Sequence, residues 1–291
     1  RAQKVLPDYQ YLRNQNDVVI LLSHCGLDDD MELAQANPWL DAIIGGHTHT
    51  LIEHPSGTNG VLITQSGSHL RYATLVKLRV KDHKVTGKEA IVLNVNNVTK
   101  ENKEIKQLVD GFNDAPALNE AIATAKTKFE TPEEIGCMMT DAIRAVSGAD
   151  FAFQNTGGVR VKSLKKGPIT VKDVYSIDPF NNDVVMYEMT GEQVKRFILN
   201  SYRKNGGFPS YVSGMTYKVG DDGRSVWVDM DGASFSTKNI YKVAFNSYMA
   251  STVTIESVDE GRSLFKTSEE MMIEFFRKQK VVDYQGITRT E

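Results

Sequence analysis

Three of the six histidines stand where they could do metal chemistry. His47 and His49 lie in Gly45-Gly46-His47-Thr48-His49-Thr50, directly after the apolar run Leu40-Asp41-Ala42-Ile43-Ile44, and His24 closes a second run, Asp17-Val18-Val19-Ile20-Leu21-Leu22-Ser23. Neutral imidazole is a good ligand for zinc, manganese or iron. If the chain stays extended past Ile44, residues two apart project to one side about 6.5 Å apart at the backbone, a spacing suited to two neighbouring cations. Two parallel strands would then deliver His24, His47 and His49 to one carboxyl edge, where open α/β sheets place their ligands. A cation held there can activate a bound water. The plainer alternative is that these are polar turn residues. His54, His69 and His83 lack such a setting; His54 and His83 read as solvated loop positions, and His69, just after a strand, is less clear.

A second set of residues suits anion and ring binding. In Asn155-Thr156-Gly157-Gly158-Val159-Arg160 the glycines would let backbone approach a ligand closely, and Arg160 offers a planar fork for phosphate or carboxylate. A surface turn with a salt-bridged arginine is the alternative. Phe180, in Asp178-Pro179-Phe180-Asn181-Asn182-Asp183, sits in a turn where a ring must either stack on something or fold back onto the core.

The elements that must position these residues are readable from periodicity. Gln3 to Gln15 predicts a short helix, then strands at 18–22 and 41–44 flank a helix that begins with Asp28, Asp29 and Asp30. Strands at 61–64 and 74–80 follow. Ile105, Leu108, Val109 and Phe112 recur at helical spacing. Capping boxes open helices at Thr131-Pro132-Glu133-Glu134, Thr190-Gly191-Glu192-Gln193 and Thr267 to Glu270, with Asn205-Gly206-Gly207 stopping the second. Strands are expected at 151–154, 184–189, 215–219, 225–229 and 241–245, with Asp222-Gly223 as a hairpin turn. This divides the chain into an α/β part at 1–95, a helical linker at 96–128 and an α+β domain at 129–291.

Leu22-Ser23-His24-Cys25-Gly26 followed by Asp41-Ala42-Ile43-Ile44-Gly45-Gly46-His47-Thr48-His49 resembles the second half of the metallophosphoesterase domain of 5′-nucleotidases. The Asn155–Arg160 and Asp178–Asp183 segments look like the phosphate-side and base-stacking motifs of that family's carboxy-terminal substrate domain, in its order and spacing. The resemblance implies a partial metallophosphoesterase α/β sandwich followed by a mixed α+β substrate-binding domain. It further implies a phosphomonoester hydrolase acting on nucleotides through two divalent ions, zinc, manganese or similar. His24 and His47 would hold one ion and His49 the other; Asn155, Gly157, Gly158, Arg160 and Phe180 would contact substrate. The family's Asp-x-His pair, bridging Asp and Gly-Asn-His-Glu/Asp segment do not occur in this chain, so no catalytic residue is assigned. The expectation is a chain that lacks the first half of that domain, binds metal weakly or not at all alone, and is completed by a missing amino-terminal fragment. Two further departures stand in the substrate domain. Thr131 replaces a family arginine, and Asn246-Ser247-Tyr248-Met249-Ala250-Ser251-Thr252-Val253-Thr254 lacks the glycine loop that carries a second stacking ring, for which Tyr248 or Phe265 could substitute.

Composition sets outer bounds. At 291 residues with 41% hydrophobic content, two soluble domains are expected. A net charge of −3 offers no general attraction to nucleic acid. Cys25 and Cys137 are too few for a disulfide framework and read as buried thiols. No apolar stretch is long enough for a membrane span, and a signal peptide is not read in these residues but would have been carried by the missing amino-terminal region; the family is usually periplasmic or at the cell surface. The rival expectation is a non-catalytic module that binds a nucleotide or sugar phosphate.

Overall fold

The computed structural model describes residues 2–205, 210–230 and 232–290, and the chain divides into two units, Arg1–Gln107 and Leu108–Glu291. In the first, α1 (Ala2–Val5) passes directly into 3-10 turns over Leu6–Asn14. One α-helix is predicted there, but Pro7 cannot donate to the carbonyl four residues back, and the tighter i+3 pattern takes over. Then come β1 (Ile20–Leu22), α2 (Leu27–Ala36), β2 (Ala42–Ile44), β3 (Gly57–Thr58) and β4 (Val61–Thr64). The sheet order is β1-β2-β4-β3. β1, β2 and β4 are parallel, with Leu22 opposite Ile44 and Ile44 opposite Thr64, and β3 is antiparallel to β4. Leu33 and Ala34 of α2 bury one sheet face together with Val19, Ile43, Val61 and Ile63.

The carboxylate of buried Asp41 fixes the entry to β2. It accepts from the Val19 N–H and from Arg13, both at 2.8 Å, while Lys88 donates to the Asp41 carbonyl at 2.8 Å. Lys88 belongs to the hairpin β5 (Tyr72–Lys81) and β6 (Lys84–Asn94). Asp82 and His83 form its tip, both at positive φ (50° and 60°), the mirror-image turn whose twist suits a two-residue hairpin. His83 is solvated and bonds Asp17 at 3.0 Å.

At the open edge of this sheet, the Asp41 N–H donates to the Val19 carbonyl and the Ser23 N–H to that of Ile44. Alternate residues of a parallel ladder bond to the same neighbour, so Val19, Leu21 and Ser23 face β2 and the backbone groups of Ile20 and Leu22 point outward. The side chains of Ile20 and Leu22 are 45% and 82% exposed. Parallel strands are ordinarily covered on both faces.

Next in chain order comes α3 (Lys103–Asn113), where Ile105, Leu108, Val109 and Phe112 repeat as predicted but all stay exposed. The second unit continues with β7 (Ala121–Ala125), α4 (Pro132–Ser147), β8 (Phe151–Asn155), β9 (Gly167–Thr170), α5 (Val171–Ile177), β10 (Asp183–Thr190) and α6 (Gly191–Asn205). It closes with β11 (Ser210–Ser213), β12 (Thr216–Val219), β13 (Val226–Asp229), β14 (Ile240–Asn246), α7 (Ser247–Thr252), β15 (Arg262–Thr267), α8 (Ser268–Gln279) and β16 (Val281–Val282). β7 pairs with β9 and β16, so residues 121–125 belong to this unit's sheet structure and not to the linker expected over 96–128.

A five-stranded sheet, β11-β8-β14-β10-β15, divides two cores. β8 and β14 run parallel; the other pairs are antiparallel, as an α+β architecture requires. The predicted capping boxes are present at Thr131 and Thr267, and Thr190 with Gln193 makes the same reciprocal pair. A fourth, Thr170 with Asp173, opens α5. The Gly206-Gly207 stop lies outside the described residues. Among those residues no helix is long and apolar enough to cross a membrane. Cys137 is buried in α4, and burial pushes its thiol up to about 12. Cys25 is only half-buried, because it occupies the turn after His24 and not a core strand.

Candidate functional site

The carboxyl edge of β1, β2 and β4 carries the histidines. The His24 and His47 rings meet edge to face with centroids 5.3 Å apart, and both are exposed. The chain is not extended beyond Ile44: His47 and His49 stand at φ 77° and 57°, so the same-side argument for that pair does not apply, and among the described residues the one contact between histidine rings is that of His24 with His47. Thr48 pins the loop between them. Its hydroxyl donates to Gln65 Oε1 at 3.1 Å and accepts from the Leu27 N–H at 3.4 Å. Among the described residues no group of three His, Cys, Asp or Glu side chains is placed to hold a metal ion. The donor chemistry of His24 and His47 fits a divalent cation; the number of ligands in this edge does not complete one.

Two buried polar atoms at the same edge have no hydrogen-bond partner, Asp30 Oδ2 and Gln65 Nε2. Asp30 is 1% exposed, and its other oxygen accepts from the Ser23 hydroxyl. Burial raises its carboxyl above the ordinary range, against the pull of the Ser23 bond. Three consecutive aspartates at 28–30 conceal that only the third turns inward.

In the second unit, one end of the five-stranded sheet gathers the ends of β8, β14 and β15 and the start of β10. Asn155, Gly157, Gly158, Arg160 and Phe180 are at this end. The Arg160 guanidinium lies 5.1 Å from the centre of the Phe180 ring, a cation–π distance. Its Nη1 donates to the Gly157 carbonyl at 3.3 Å, and its N–H ties the loop to the Ile177 carbonyl at 2.9 Å. Phe180 is 45% exposed, so the ring is not folded back into the core.

Gly157 is exposed, but Gly158 is buried, and a Cβ there would stand 2.0 Å from Gln154 Nε2. Gln154 thus packs directly on that glycine.

Behind these residues stands a network with little trace in the pattern of residue types. Buried Asn246 donates at 2.8 Å to both Gln154 Oε1 and Asn155 Oδ1, and its own oxygen caps α7 through the Met249 N–H at 2.7 Å. Asp178 accepts from the Ser268 hydroxyl at 2.6 Å and the Phe180 N–H at 3.3 Å; buried Glu269 accepts from the Asn181 N–H at 2.6 Å. Burial pushes the Asp178 carboxyl up to about 6; the Ser268 bond opposes this and the Glu269 charge adds to it. Tyr248 and Phe265 are exposed near this end, Phe265 at 91% and φ 52°. The order Asn at a strand end, then Ser-Tyr, is the one local signal that could have singled out Asn246.

Residues 113–254 match the family described as 5′-nucleotidase, C-terminal domain. Residues 113–254 thus carry a 5′-nucleotidase carboxy-terminal domain. The chain is 30% identical over 200 residues to the metallophosphoesterase YunD of Bacillus subtilis, covering 65% of this chain and 43% of that protein. The trifunctional nucleotide phosphoesterase protein YfkN of the same organism is 28% identical over 263 residues, 79% of this chain and 18% of the relative. The chain thus spans less than half the length of either. A 5′-nucleotidase precursor from Thermus thermophilus superposes with a TM-score of 0.72 at 23% identity, over 100% of this chain and 66% of that one. A 5′-nucleotidase from Staphylococcus aureus gives 0.71 at 16% identity, with 100% and 67% covered. These likenesses support the fold: α/β, then α+β.

Proposed function

We propose that this chain is part of a phosphomonoester hydrolase acting on nucleotides. The observation that carries the reading is the Arg160–Phe180 pair: a guanidinium held by Gly157 beside a ring left 45% exposed, on a loop fixed from behind by buried acids and amides. A cationic fork next to a flat apolar face suits a nucleoside phosphate better than either group alone. Asn155, its oxygen held by Asn246, and the exposed Gly157 line the same end of the sheet.

Divalent ions, one held by His24 and His47 and the other by His49, would supply an activated water and neutralise phosphate charge. The remaining ligands of such a site would come from outside these residues. Support for that is the open edge of β1, whose outward backbone groups and exposed Ile20 and Leu22 lie next to His24 and suit pairing with a further strand. This chain alone would then bind metal weakly and turn over little substrate. Export to periplasm or cell surface accompanies the reading and is tested by fractionating cells that make the whole protein.

A second reading, a module that binds a nucleotide or sugar phosphate without hydrolysis, is favoured by the absence of a three-ligand group among the described residues. One experiment separates them. Release of phosphate from a nucleoside monophosphate is measured with added Mn²⁺ or Zn²⁺, for the chain alone and mixed with an amino-terminal fragment of a relative. Turnover abolished by His47→Ala supports hydrolysis. Binding abolished by Arg160→Ala, with no turnover under any condition, supports the module.

A further inference from the structure

We infer that Asp30 is a positioning residue for the histidine edge: its buried carboxyl group holds the turn that carries His24 against the strand end that leads to His47. That the two rings serve a cation rests on the function proposed above; that Asp30 sets their spacing does not.

The geometry is that of a wedge between two chain segments. Ser23 donates its hydroxyl to Asp30 Oδ1 and accepts from the Cys25 N–H at 3.2 Å, so one hydroxyl grips the turn on both sides of His24. The other carboxyl oxygen faces Gly45, where a Cβ would lie 2.3 Å from it. At Gly46 a Cβ would lie 2.9 Å from His24 Nδ1. The Gly45-Gly46 backbone is therefore flush against both Asp30 and His24, and no other residue type fits at 45 while Asp30 stays in place.

This arrangement is costly for a merely structural contact. A buried carboxyl oxygen without a donor loses its hydration and regains at most a weak Cα–H contact. Its place in the first turn of α2 offsets part of the loss. An apolar side chain would fill the same space without an orphaned oxygen. The carboxyl group instead joins Ser23, one residue before His24, to Gly45, two residues before His47. The 5.3 Å ring pair is what that junction sets.

The test uses the full chain, Asp30→Ala, Asp30→Asn and Ser23→Ala, each checked for fold by circular dichroism. The nuclear Overhauser cross-peak between the His24 and His47 ring protons reports spacing, and Zn²⁺ titration of the same ring signals reports affinity. Asp30→Ala and Ser23→Ala are expected to lose the cross-peak and weaken Zn²⁺ binding about tenfold. Asp30→Asn, which keeps the acceptor for Ser23, is expected to retain both. If Asp30→Ala fails to fold, Ser23→Ala decides. A variant that folds, lacks the Ser23–Asp30 bond and keeps the cross-peak and the affinity of the parent overturns the inference. Zn²⁺ that moves neither ring in the parent chain removes the cation reading, and the cross-peak alone then judges Asp30.

Discussion

Both candidate sites sit at the end of a sheet, yet they are held in different ways. In the first unit His24 and His47 are exposed and steadied from beneath by single contacts: a serine hydroxyl, a threonine hydroxyl, a carboxyl oxygen facing a glycine. In the second, Asn155, Arg160 and Phe180 rest on buried amides and acids whose hydrogen bonds cross from strand to strand. A site held by single contacts tolerates change in its exposed groups and depends on whatever covers it. A site held by a network depends on its own interior.

The contrast is most open to attack at Asn246. Asn246→Ala leaves the buried Gln154 Oε1 without its donor, loosens half-buried Asn155 and removes the cap of α7, and is expected to cost about 3 kcal/mol in urea unfolding; a loss near zero would show that the network is not what holds the second site. Asp178→Asn is next. The Asp178 carboxyl titrates at about 6 against an ordinary 3.8, so between those values the folded chain keeps a proton the unfolded chain has released. Its contribution is fully present below about 3.8 and lost as pH rises through about 6, on the order of 2 kcal/mol. Thermal unfolding from pH 4 to 7 should therefore show a fall with rising pH in the parent that is smaller in Asp178→Asn; parallel curves would remove Asp178 as a source.

Phe180→Ala should lower stability by under about 1 kcal/mol while weakening nucleoside monophosphate binding about tenfold in calorimetry. Unchanged binding would separate the exposed ring from the substrate. The smallest effect is expected at His49→Ala, within about 0.5 kcal/mol in the same unfolding assay, because its side chain is exposed and, among the described residues, its ring neither hydrogen-bonds nor stacks. A larger loss would mean the histidine edge is more tightly built than its exposed rings imply.

Local devices were legible and non-local ones were not. The capping boxes at Thr131, Thr190 and Thr267 read directly, since four consecutive residues carry the whole signal. So did the parallel β1–β2 pair, from two apolar runs. β7, Ala-Ile-Ala-Thr-Ala, was hidden: alanine is a poor strand former, and its partners β9 and β16 lie far along the chain. The turn of the backbone at His47 and His49 was hidden for a different reason, since residues other than glycine rarely take positive φ and nothing in the sequence announces it. At the second site the motif residues were visible, but Asn246, Asp178 and Glu269 act through burial, which no spacing rule reveals.

The two cysteines give the molecule an instrument of its own. Cys137 is sealed inside α4 with a thiol that stays protonated, while Cys25 is half-buried in the turn beside His24. A thiol-directed dye added to the folded chain will thus mark one position only, next to the imidazole whose surroundings most need watching. The unaltered protein can report on cation, strand or fragment arriving at that edge as a change in colour or labelling rate.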